Sequence, residues 1–197
     1  MPRPSLKNRR REEILDAYEI CVAKFGVEGA TLEKTAEEAG LARALLRHHV
    51  GNREELLDAL VTRFLENSEI QTKGFYAALP ANNRMETLIS WLFDPEYSDS
   101  RSVLVAEALI AASEARPKLG VKIKAWVEDF VKQLSQEISQ HAPQESPEAI
   151  EEVAMGITAL YFNAESLTPL GALPDIRKTS AATCLRLLKS LKKGDVK

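Results

Sequence analysis

The sequence predicts an all-α fold of about nine helices. Three observations lead there. Apolar residues recur at spacings of three and four along most of the chain, and no stretch alternates apolar with polar residues as a strand does. Proline-bearing breaks separate the periodic stretches, at Leu79-Pro80, Asp94-Pro95, Arg116-Pro117, Pro143 to Pro147 and Thr168 to Pro174. The composition, 45% apolar and 28% charged over 197 residues, provides enough apolar material for a substantial core.

The chain opens with a basic arm in which Pro2 and Pro4 favour an extended backbone. Residues 1–11 hold Arg3, Lys7, Arg9, Arg10 and Arg11 and no acid. Helix one is predicted from about Lys7 to Phe25, with Ile14, Tyr18, Cys21, Val22 and Phe25 as its inner stripe and Gly26 and Gly29 ending it. Helix two runs from Leu32 to Ala39 behind Thr31, whose hydroxyl suits an N-cap. Gly40 permits the turn, Leu41 packs into the angle, and helix three runs from Ala42 to His49. Small Ala36, permissive Gly40 and apolar Leu46 are what two closely crossing short helices require, so this stretch reads as a helix-turn-helix. Its second helix would then enter a DNA major groove.

Asn52 and Glu55 form a capping box that opens helix four, which continues toward Tyr76 on the apolar face of Leu56, Leu57, Leu60, Val61, Phe64 and Leu65. It is read as the only covalent route from the head to the rest. Five further helices are predicted at Asn82–Phe93, Asp99–Arg116, Pro117–Gln140, Ser146–Glu165 and Pro174–Lys192. VLVAEALIAA (103–112) is apolar nearly all round and is expected in the middle of a bundle. The domain reading is a head with its arm over 1–51, a connecting helix over 52–80 and a helical bundle over 81–197.

Chemistry is scarce. The sequence has no GxSxG, no phosphate-binding glycine loop, no HExxH and no cysteine cluster, which leaves an enzyme reading without a constellation and calls for no cofactor. Cys21 and Cys184 read as buried free thiols of a reducing cytoplasm. No apolar signal core and no membrane span are recognised, so a cytoplasmic protein is expected. The net charge of −3 disfavours nucleic acid mildly, but the basic residues cluster in the arm and on helix three. For base edges the candidates are Arg43, at the start of helix three, with Ala44, Leu45 and His48 on its exposed side. For phosphates they are Thr31, Arg47 and Arg53; Ala42 before helix three and Arg9 and Arg10 of the basic stretch are further DNA-binding candidates.

The segment from Arg11 to Leu57 resembles the N-terminal domain of the TetR (tetracycline-repressor) family of transcriptional regulators. The likeness is carried by REEILDA in helix one, KFGVEGAT before helix two, and AxxAGLxxxxLxxHVGNREELL at the end. The family usually has an apolar residue at Thr35, serine at Ala42, threonine at Leu45, tyrosine at Arg47 and phenylalanine at Val50. Ala42 and Leu45 thus remove two hydroxyls that often face DNA.

The resemblance implies a homodimeric, one-component regulator, most simply a repressor, that binds a near-palindromic DNA operator and is released by a small-molecule effector held in the C-terminal bundle. Trp91, Glu107, Trp126, Phe130 and Tyr161 are the expected ligand-site residues. Glu107 and Glu165 draw attention as carboxylates inside apolar helices. The last two helices are expected to pair across the dimer through Ile150, Val153, Ile157, Leu160, Tyr161, Ile176, Leu185, Leu188 and Leu191. The runner-up is a helical DNA-binding or adaptor protein without an effector, whose bundle only dimerises or binds a protein partner.

Overall fold

The computed structural model describes residues 6–170 and 175–191, the side chains of 6–8 and 169 excepted. Arg3, Pro2 and Pro4 of the expected arm, Pro174 and Lys192 lie outside the described residues. Among those described, nine α-helices occur and no strand: α1 (Leu6–Gly29), α2 (Leu32–Glu38), α3 (Arg43–Val50), α4 (Arg53–Ala78), α5 (Arg84–Leu92), α6 (Ser100–Ala112), α7 (Pro117–His141), α8 (Pro147–Ser166) and α9 (Ile176–Ser190). Short 3-10 turns, Pro95–Tyr97 and Thr168–Leu170, precede α6 and follow α8. No helix is long and apolar enough to cross a membrane among the described residues.

Most ends follow from local chemistry. Gly26, at φ +68, interrupts α1 one residue after the predicted stop. Ser146 accepts from the Ala149 amide at 3.2 Å, and Pro147 occupies the first helical position of α8. The predicted sixth helix runs too long. α6 stops at Ala112; Ser113 donates its hydroxyl to the Leu109 carbonyl at 2.7 Å, and after a turn Pro117 opens α7.

The helices gather into two compact units that do not follow chain order. One holds residues 1–71 and 101–123, the other 72–100 and 124–197. The chain therefore passes between them three times, within α4, before Arg101 and within α7, so α4 is not the only covalent route.

In the first unit α1 packs on both α2 and α3. Ile14, Tyr18, Val22, Leu46, Leu56 and Leu60 are wholly buried there. α6 contributes a single stripe, Val105, Leu109 and Ala112, while Ile110 stays 45% exposed. The helix expected at the centre of a bundle thus covers one face of this unit instead. Arg63 of α4 reaches α1, donating to Asp16 at 2.6 Å and to the Leu15 carbonyl at 3.1 Å.

In the second unit α8 packs on α9, and α5 on α9. Leu88, Ile89, Leu134, Ile138, Ile157 and Cys184 form its buried centre. Of the nine stripe residues expected to face a second copy, Ile150, Val153, Ile157, Leu188 and Leu191 belong to this core, all under 9% exposed, whereas Leu160, Tyr161, Ile176 and Leu185 are half-buried. A stripe in sequence does not say which neighbour fills it. The outward side of α8 carries Met155, 51% exposed, and exposed Ala159 instead.

Candidate nucleic-acid interface

The turn between α2 and α3 is set by hydrogen bonding. Gly40, at φ +64, donates to the Glu37 carbonyl at 3.1 Å, and Leu41 donates to the Ala36 carbonyl at 2.8 Å. This is a Schellman ending, and glycine takes its left-handed conformation without the backbone strain that a side chain brings. Thr31 caps α2 by accepting from the Lys34 amide at 3.2 Å. Thr35 is fully buried where the resembling family places an apolar side chain, and its hydroxyl is satisfied by the Thr31 carbonyl at 2.9 Å. A polar residue thereby occupies an apolar seat without an unpaired donor.

The buried residues of α3 are Leu46 and Val50, 0% and 8% exposed. Arg43, Ala44, Leu45, Arg47 and His48 are exposed, as are Ala42 before them and Thr31. Seven of the expected contact residues are therefore accessible. Ala42 supplies no side-chain cap, which leaves the α3 N-terminus without an internal side-chain acceptor. His49 is half-buried, and its Nδ1 has no partner among the described residues. At the far end Gly51 turns at φ +74, and Asn52 and Glu55 close the capping box reciprocally at 3.1 and 3.0 Å.

Three candidates are employed otherwise than expected. Arg9 and Arg10 lie on α1, as a helix start near Lys7 implies, but both donate to Glu13, at 3.2 and 2.8 Å. Arg53 turns its guanidinium to the Val27 carbonyl and to Glu28, the latter at 3.2 Å. It ties the start of α4 to the end of α1, so a phosphate would have to share it. Sequence reasoning missed Arg116, which donates to Glu28 and lies 3.5 Å from Glu54. The hydrogen bond from Arg116 holds the Glu28 carboxyl below the ordinary carboxylate range. Nothing local in the sequence announces a pairing across 88 residues.

In the second unit the expected ligand residues separate. Phe130 and Tyr161 stack at 5.5 Å, and Phe162 meets both Trp126 and Phe130 edge-on. Trp91 stands in another aromatic group, stacked on Tyr97 at 5.3 Å beside Phe75. Glu107 belongs to the first unit and is only half-buried. Glu165, 5% exposed, has found its partner: Arg177 donates to it at 2.6 Å, as does Ser98, and Arg177 also donates to Thr168 at 2.9 Å. Beside this network opens a cavity of about 640 Å³, lined by Ser90, Phe93, Ser98, Thr168, Arg177 and Lys178 among others.

No protein-family model matches the chain. Sequence relatives do. Over 93 residues the chain is 32% identical to the HTH-type transcriptional repressor AcnR of Corynebacterium glutamicum, covering 47% of this chain and 46% of AcnR. Over 123 residues it is 24% identical to the HTH-type transcriptional regulator BetI of Serratia proteamaculans, covering 60% of this chain and 62% of BetI. The chain thus spans about half of these curated relatives. The crystal structure of a TetR-family transcriptional regulator from Cytophaga hutchinsonii superposes over 100% of both chains at a TM-score of 0.74 and 16% identity. The chain has the fold of TetR-family regulators. The helical head and bundle expected from the sequence match that fold, and the sequence relatives are described as transcriptional regulators.

Proposed function

We propose that this chain is a TetR-family one-component repressor that binds a near-palindromic DNA operator as a homodimer and is released by a small-molecule effector. One observation carries the DNA reading: α3 buries Leu46 and Val50, and turns Arg43, Ala44, Leu45, Arg47 and His48 to solvent. A helix held by one stripe and basic on its free sides suits a major groove. A single eight-residue helix reads few bases, and a two-fold dimer doubles them. The outward sides of α8 and α9, with Met155, Ala159 and Ala182, are the proposed contact between copies.

For the effector, the cavity beside Arg177 offers space, and Phe93 links it to the aromatic group, lying 6.1 Å from Tyr161. Trp126, Phe130 and Tyr161 are retained as the inner side of this proposed site, and Trp91 and Glu107 are not. The DNA reading is tested by selecting duplexes from a random library with the full chain. Arg43→Ala should then weaken the selected duplex by about 1–3 kcal/mol and loosen its sequence preference. Binding of all duplexes alike by the wild type would refute the operator reading.

A further inference from the structure

We propose that Leu45 reads a thymine in each half-site through the thymine 5-methyl group, an inference that rests on the DNA-binding reading above. Its basis is direction. Taking about 100° per residue, the buried pair Leu46 and Val50 sets the inner side of α3, and the opposite direction falls on His48. Ala44 lies about 40° from that outward line and Leu45 about 60°, whereas Arg47 and Arg43 lie about 100° and 140° from it. The side chains that project most directly outward are therefore His48, Ala44 and Leu45; Arg47 lies at a flank, and Arg43 is exposed because it is the first residue of α3.

Leu45 is 43% exposed, although Leu46 beside it is fully buried. The core does not need it, and it is the one large apolar side chain on the outer face of α3. In a major groove the thymine 5-methyl is the one methyl group that a base pair presents; cytosine offers only a smaller C5–H beside its amino donor, and the purine edges offer hydrogen-bond donors and acceptors. Leucine can neither donate nor accept, so at a cytosine, guanine or adenine edge it would desolvate a polar group without replacing its partner. Ala44, next to it, is equally mute and leaves room for the contact.

The test uses duplexes selected by the full chain and their thymine-to-deoxyuridine versions, which lack only the methyl. One thymine position per half-site should be sensitive, its deoxyuridine version binding about fourfold more weakly, the effect of removing one methyl-sized contact. Leu45→Ala should weaken the thymine duplex by a similar factor or more and abolish the difference between thymine and deoxyuridine. Leu45→Met, equally apolar, should keep it. No position sensitive to deoxyuridine, or equal sensitivity in wild type and Leu45→Ala, would overturn the assignment while sequence-selective binding persists. If no duplex is selected, the DNA-binding reading itself fails, and this inference with it.

Discussion

Glu165→Ala probes the most deeply held charge in the second unit. The Glu165 side chain is 7% exposed and that of Arg177 16%, so the pair is largely removed from water. Arg177 donates to Glu165 at 2.6 Å, to Thr168 at 2.9 Å and to Ser98 at 3.1 Å. Ser98 in turn donates to the other Glu165 oxygen at 2.6 Å. Truncation leaves the guanidinium with two hydroxyl acceptors and no counter-charge, and it leaves Ser98 without its acceptor. Breaking a buried pair from one side costs about 3–5 kcal/mol. At about 2–4 °C per kcal/mol for a chain of this size, Tm should fall by about 6–20 °C. Urea unfolding followed by circular dichroism, at one fixed protein concentration, measures the loss. The double variant Glu165→Leu, Arg177→Met should recover much of it, because an apolar replacement buries no unpaired charge. A loss under about 1 kcal/mol for Glu165→Ala is what an exposed pair gives, and would refute the claim that this pair is desolvated.

Three further outcomes are expected. Gly51→Ala should lower Tm and loosen the start of α4, because φ there is +74 and a Cβ would fall 1.5 Å from the Glu55 carboxylate that closes the capping box; an unchanged Tm would argue against that turn. Leu188→Glu should unfold the second unit rather than yield folded monomers, since Leu188 is 4% exposed and a carboxylate there has no partner in an apolar core. Sedimentation combined with circular dichroism separates the two results, and a folded monomer would count against this packing. The last concerns acid. The folded-state pKa of Glu28 is lowered by Arg116, so its contribution is complete above the ordinary glutamate value of about 4.3 and disappears as pH falls through the lower folded value. Glu28→Gln should flatten the acid limb of stability in that window; the effect is small because the side chain is 68% exposed.

The head was largely legible because its determinants are local. Thr31, Gly40 and the Asn52–Glu55 box act within five residues of themselves, so their consequences can be read from spacing alone. Arg53 shows where that stops. Its place at a helix start suggested a phosphate, but Val27 and Glu28, more than twenty residues earlier in the chain, take its guanidinium. Glu165 is intermediate: a carboxylate in an apolar helix promised a partner, and only the fold shows that Arg177, across the turn after α8, provides it. The stripes of α8 and α9 were visible but not addressable. Periodicity identifies a face that must be covered, and whether α5 and α7 or a second copy covers it is decided by tertiary packing.

The grouping of α6 and the first turns of α7 with the head changes what an effector could act through. Two of the three passages between the units lie inside unbroken helices, α4 and α7. Arg116, immediately before α7, is bonded to Glu28 at the end of α1 and lies close to Glu54 in the first turn of α4. On the proposed effector reading, a change in the second unit therefore reaches the head along α4 and, separately, along α7 to a charged cluster that includes Arg53 at the foot of α4. The two routes converge within two residues of the capping box that follows α3. Because Glu28 is shared by Arg53 and Arg116, a shift of either arginine alters the hold of the other. Coupling through such a shared carboxylate is screened by salt, whereas coupling through the buried face of α4, with Leu56, Leu57, Leu60 and Val61, is not. The salt dependence of effector-induced release, separated from that of DNA binding itself, thus distinguishes which route dominates.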